Sequence, residues 1–319
     1  MKKQICDLHC DTLYRARKEK ISAVDNFGKT MLSLSNLAKY DNYIQVMAVW
    51  SDKRFSNDEA YDVFLDTAAY FKGQLAAAEY AGLKVAQAVC GDDIKKNESC
   101  GNASLVLAVE GANLVDTKLS RLEMLRSLGV RLVTLAWGGR NQLGGSHENS
   151  EGLTDLGREL VCHMFELDMI PDLSHSNSKM TDEVLGLAAR FNKPVVATHS
   201  DAYALCAHSR NLSDEHYKAI VKSGGVVGVS LACMHLADLT NKPAADSGDL
   251  VAHLMHYREL DKNGVGLGSD FDGVDELPRG ISEPFDLYKT VSELVIPDED
   301  KEKLLYNNAR DFLVNSLKA

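Results

Sequence analysis

One feature of this chain narrows its possible folds more than any other: short apolar runs keep ending on side chains that can ligate a metal. The runs ICDLHCD, SLVLAVEG, MIPDLSH and PVVATHS deliver His9, Asp11, Glu110, His175 and His199 in this way, and GVGLGSDFDG adds Asp270 and Asp272. Apolar runs without polar alternation are the pattern of strands buried on both faces. Their ends can converge only if the strands are parallel neighbours, and five ligand-type residues at one place read as a two-metal hydrolase site.

Eight strand-like segments can be delimited, over residues 4–9, 44–49, 104–110, 131–136, 169–174, 194–199, 226–231 and 265–269, with helical patterns between them. Ser56 and Glu59 form a capping-box signature that opens a long segment carrying Ala60, Phe64, Phe71 and Leu75 and closed by Gly82. Thr154 opens another, with Leu156, Leu160 and Met164 on one face. Ser178 or Thr181 starts a third, carrying Val184, Ala188 and Phe191, and Ser213 a fourth that stops at Gly224-Gly225. Alternating strands and helices predict an α/β fold, and eight such units close into a (β/α)8 TIM-like barrel; an open doubly wound sheet is the alternative. Ligand-type residues at strand carboxyl ends favour the barrel, and no glycine-rich fingerprint marks a dinucleotide crevice. The polar, glycine-rich stretch 138–152 reads as a strand-to-helix loop over the same face. With no linker in sight, one barrel domain over residues 1–319 is expected.

A net charge of −11 excludes the basic surface that nucleic acid requires. No apolar run approaches the ~18 residues of a membrane span. Lys2 and Lys3 lead into a strand-like run rather than an apolar leader core, and the tail RDFLVNSLKA reads as helix rather than lipid-anchor signal, so a cytoplasmic location is expected. The seven cysteines are odd in number and form no CxxC pair, which suits reduced thiols.

Each ligand candidate has a plainer reading. Strand alternation puts His9 and Asp11 on one face and Cys10 on the other, but a lone HxD triplet is common. Glu110 ends a run that should be buried, where a carboxylate must be paired or bound to metal; a salt bridge to arginine is the alternative to a carboxylate shared by two ions. His175 or His199 alone could be a hydrogen-bonded core histidine, although neutral imidazole is the commonest zinc ligand. His163, His216, His253 and His256 fall in helical patterns and are expected on solvated faces. Of Asp270 and Asp272, one can be a turn-capping residue before Gly273; Asp270, nearer the strand, is assigned the proton-handling role.

The motifs DLHCDT, AVEGA, DLSHSN, THSDAYALCAHSRN and GSDFDG, in order along nearly the whole chain, resemble those of the membrane dipeptidase (renal dipeptidase) family of zinc metallopeptidases. The resemblance implies an α/β barrel, usually dimeric. It implies that His9, Asp11 and Glu110 hold one zinc and Glu110, His175 and His199 the other, that Arg210 binds substrate, and that Asp270 is the aspartate after strand eight. One position departs: mammalian relatives carry a substrate-contacting histidine just after strand four, where this chain has Trp137, and His147 in the following loop is within reach of the same space.

The expectation is therefore a homodimeric dipeptidase with two zinc ions per chain, other divalent ions being acceptable to these ligands. Asp270 is its proton shuttle, Arg210 the clamp on the substrate carboxylate and Trp137 a substrate contact. Its substrate is a dipeptide or small amino-acid amide. The alternatives are hydrolysis of N-acyl amino acids on the same site and a non-catalytic, metal-stabilised binding protein.

Overall fold

Strand β1 (Gln4–Cys10) is buried along its whole length, as is β4 (Ala103–Glu110), and β2 (Asn42–Trp50) between them is buried except at its half-buried ends. Runs buried on both faces need helices on the outside and partners on both edges, and the computed structural model supplies both. It describes every residue except 26, 27, 116, 118 and 241. With β3 (Val85–Gln87), β5 (Val130–Thr134), β6 (Ile170–Asp172), β7 (Val227–Val229) and β8 (Val265–Leu267), the strands form one wholly parallel sheet in the order β6-β5-β4-β2-β1-β8-β7. Residues 196 and 197 close the circuit, Val196 bridging to Asp172 of β6 and Ala197 to Val227 of β7. All eight expected segments are thus staves of a (β/α)8 barrel. β3, which the apolar pattern does not reveal, pairs only with the amino-terminal half of β4.

The expected strand over 194–199 is short, two bridged residues whose backbone pairs with both neighbours, Leu173 N donating to Val196 O at 2.7 Å and Gly228 N to Ala197 O at 2.9 Å, and side chains add to that ladder. Asp172 accepts from Thr198 N at 2.9 Å and from Thr198 Oγ1 at 2.7 Å, and Ser174 Oγ accepts from His199 N at 3.0 Å. Two more buried aspartates stitch the barrel mouth likewise. Asp7 accepts from Ser269 N at 2.8 Å and Oγ at 2.5 Å, and Asp201 from Ser230 N at 2.8 Å and Oγ at 2.9 Å.

The outer helices start where their caps lie. Ser56 and Glu59 make both arms of a capping box for Asn57–Tyr80, and Thr154 and Ser213 cap Asp155–Glu166 and Asp214–Lys222. The helix Ser178–Phe191 is capped by Asn177, not by Ser178 or Thr181. Among the described residues no helix is long and apolar enough to cross a membrane.

Candidate metal centre

Glu110 is the last residue of β4 and only 3% exposed. One of its oxygens, Oε1, lies 2.8 Å from His175 Nε2 and 3.3 Å from His199 Nε2; the other, Oε2, lies 3.7 Å from His9 Nε2. His9 ends within β1 and Asp11 follows it, with His9 Nε2 3.6 Å from Asp11 Oδ2 and 3.9 Å from Asp270 Oδ1. Glu110 thus faces two groups at once, one of imidazoles and one of His9 with two carboxylates. Potential ligand atoms of Glu110, His175 and His199 lie within 4.8 Å of one another, and so do those of His9, Asp11 and Asp270.

These side chains fit a pair of divalent cations on chemical grounds. The buried His9 Nε2 and Asp11 Oδ1 have no hydrogen-bond partner, and unsatisfied buried polar atoms are costly. Burial, reinforced by the Asp11 and Glu110 carboxylates, holds the Asp270 carboxyl well above its ordinary range. Burial and Asp11 likewise raise Glu110. Three mutually repelling buried carboxylates are what a cation relieves. Burial pushes His175 and His199 well below the usual imidazole range, which leaves them in the neutral, ligating form. Burial pulls His9 the same way, but Glu110 and Asp11 carry it above the ordinary value.

The structure separates the two aspartates after β8. Asp270 lines the cavity beside His175 and Arg210. Asp272 points elsewhere, accepting from Thr12 Oγ1 at 2.5 Å and Met31 N at 2.8 Å, so it ties the first helix to the segment before β2. Strand alternation does not govern this pair: β8 ends at Leu267, and both residues sit at positive φ. Gly273 belongs to the centre too, since a Cβ there would meet Asp270 Oδ1 at 2.2 Å and Asp11 Oδ2 at 2.4 Å.

Above the ligands opens a cavity of about 510 Å³ lined by Trp137, His147, His175, Arg210 and Asp270, among others. Arg210 is 3% exposed, its Nη1 donating to Ser200 Oγ at 3.3 Å and Nη2 to His199 O at 3.1 Å, while Nε has no partner. Burial lowers its pKa although Glu110 and Asp270 oppose the shift. Trp137 packs edge-on against Trp50 at 5.0 Å between centroids and 5.9 Å from His175. His147 donates its backbone N–H to His175 O at 2.7 Å, and burial pushes its imidazole down to about 4. One expectation fails: His253 is buried, its Nδ1 accepting from Ala202 N and its Nε2 facing Leu236 O, because its helix presents that side to the loop after His199. The Asp172, Asp7 and Asp201 stitches were missed as well. For Asp7 and Asp172 the only signal was an aspartate inside an apolar run, two or three residues before a candidate ligand; Asp201 instead comes two residues after His199.

A family model described as membrane dipeptidase (peptidase family M19) matches residues 1–310. An uncharacterized dipeptidase of Schizosaccharomyces pombe is 33% identical over 205 residues, 61% of this chain and 48% of that protein. A dipeptidase of Aspergillus oryzae is 33% identical over 210 residues, 62% of this chain and 47% of that protein. This chain spans about half the length of these curated relatives. Among solved structures, a metallopeptidase described as a dipeptidase of family M19 matches with a TM-score of 0.89 at 26% identity, covering 100% of both chains. A metallopeptidase from Rhodobacter sphaeroides, liganded with a phosphinate mimic of the dipeptide L-Ala-D-Ala, matches with a TM-score of 0.88 at 25% identity, again over 100% of both.

Proposed function

This chain belongs to the membrane dipeptidase family, peptidase family M19, and from that premise we propose that it hydrolyses the amide bond of dipeptides with a free carboxyl terminus, using two zinc ions. The observation that carries the reading is Glu110, whose two oxygens face separate ligand groups at the floor of a cavity also lined by a buried arginine. His9, Asp11 and Glu110 would hold one ion, and Glu110, His175 and His199 the other. Bound there, divalent cations supply Lewis-acid polarisation of the scissile carbonyl and an acidified water.

The chain's own side chains do the rest. Arg210, with Nε free of any protein acceptor, pairs with the substrate carboxylate and excludes substrates that lack one. Asp270 takes a proton at its carboxylate from the attacking water and returns it to the leaving amine, which cannot depart as an anion. Trp137, backed by Trp50, gives the cavity an apolar wall that excludes water from the floor. The phosphinate dipeptide mimic bound by the Rhodobacter protein supports a dipeptide-sized ligand for this cavity.

The test is metal content with activity. Purified protein should carry about two metals per chain and hydrolyse L-L or L-D dipeptides but neither their carboxyl-terminal amides nor N-acyl amino acids. Glu110→Ala should lose most of both metals and all measurable turnover. Retained metal and turnover in that variant would falsify the bridging role, and preferential cleavage of N-acyl amino acids would replace the substrate.

A further inference from the structure

The outer half of the cavity takes no part in the chemistry above, yet its composition is specific. After Asp270 the chain turns through Gly273 into Val274, Asp275 and Glu276, and beside this turn stand Met234 and Leu239. The two segments adjoin, Cys233 Sγ donating to Glu276 O at 3.5 Å. Asp275 and Glu276 are exposed, and among the described residues their side chains make no hydrogen bond or ion pair. The other rim carboxylate, Glu148, is already held by Lys53 at 2.8 Å. Met234 is 59% and Leu239 42% exposed, and both also line the cavity.

A solvated acidic turn does not account for a bare thioether and leucine beside it, and an apolar docking patch does not account for two unpaired carboxylates. A long aliphatic stem with a cationic head satisfies both, laying its methylenes on Met234, Leu239 and Val274 and its charge at Asp275 and Glu276. The polarity of the cavity orients it. Arg210 is tethered on the His199 and Ser200 side, whereas the acidic turn continues directly from Asp270. With the carboxylate at Arg210 and the scissile bond above the ligands, the residue that reaches the acidic turn is the amino-terminal one.

We propose that residues 233–239 and 274–276 form a specificity pocket for dipeptides whose amino-terminal residue is lysine or arginine, an inference that rests on the dipeptidase reading above. The experiment compares metal-loaded protein on Lys-Ala, Arg-Ala, Leu-Ala and Glu-Ala, in L-L and L-D forms, at low and high salt. The basic substrates should lead Leu-Ala by about tenfold in kcat/KM, roughly what two rim ion pairs supply. The lead should lie in KM, shrink with salt, and grow against Glu-Ala. Asp275→Asn combined with Glu276→Gln, isosteric and checked by thermal unfolding and metal content, should bring the Lys-Ala to Leu-Ala ratio near one. Asp275→Lys with Glu276→Lys should favour Glu-Ala. Equal rates on all four dipeptides, or a basic preference that survives neutralisation, overturn the pocket while the dipeptidase reading stands. Failure to cleave any dipeptide overturns that reading and the pocket with it.

Discussion

His175 adopts φ 68° and Asp270 φ 60°, a left-handed conformation that costs a residue with a Cβ about 1–3 kcal/mol. Such strain persists only where the surroundings over-determine it. Here the turn after β6 aims His175 Nε2 at Glu110, and the turn after β8 aims Asp270 at His9. Arg210 shows the same economy of purpose, being buried with its Nε unpartnered. Arg210→Ala should cost about 2–4 kcal/mol in kcat/KM for dipeptides, the penalty for leaving one partner of a buried charge pair unmatched. Metal content should stay at the wild-type level. An Arg210→Ala protein as active on dipeptides as the parent would remove the carboxylate clamp from the mechanism.

The loop over residues 138–152 follows β5 and carries His147 into the cavity. Its polar, glycine-rich composition suggests mobility, but one side chain ties it down. Asn177 caps the helix Ser178–Phe191 through Met180 N, and its Nδ2 lies within 2.8–3.0 Å of the carbonyl oxygens of Ser146, Asn149 and Glu151. Two N–H protons are shared among three acceptors, so one amide adds three attachments to the bond that His147 N already makes to His175 O. Asn177→Ala should lower stability by about 1–2 kcal/mol through the lost cap. It should also raise KM more than it lowers kcat, because the loop that carries His147 loses three attachments while the candidate ligands keep their contacts with one another. Unfolding curves with steady-state kinetics check both; a stability loss with KM unchanged would mean that the amide serves the helix alone.

At the scale of the whole molecule, the far end of the barrel is closed by the carboxyl-terminal helix Asn308–Ser316. Arg310 donates through Nε and Nη2 to the two oxygens of Glu98 at 2.9 and 2.8 Å, Tyr306 donates to Glu98 Oε1 at 2.6 Å, and Gly91 N donates to Leu317 O at 3.1 Å. Burial raises the Glu98 carboxyl, but the Arg310 and Tyr306 hydrogen bonds outweigh it and leave the pKa below the ordinary value. A carboxylate depressed in the folded state adds stability that is complete above its unfolded pKa, about 4.3. That stability is lost as pH falls through the lower folded value. Glu98→Gln should therefore unfold at lower temperature than the parent at pH 7, with the gap closing towards pH 3. A gap independent of pH would assign the effect to shape rather than charge.

Sequence alone determined the staves and the ligand candidates at their ends. Apolar runs too long to be half-solvated must be buried strands, eight of them alternating with capped helices must curl around one another, and the side chains at their carboxyl ends must then share a mouth. His9, Asp11, Glu110, His175 and His199 were legible because the desolvation of such groups in apolar runs has few remedies. Tertiary structure alone decided which groups face the mouth once a strand has ended. Alternation allowed Asp270 and Asp272 the same side and left open which of them was structural; positive φ at both sent one to the cavity and the other to Thr12 and Met31. It also decided that aspartate, serine and threonine side chains reinforce the short ladder of the sixth stave, and that His253 is buried. Local periodicity reports burial and face, whereas backbone turns and hydrogen bonds between residues distant in sequence are settled only when the staves meet.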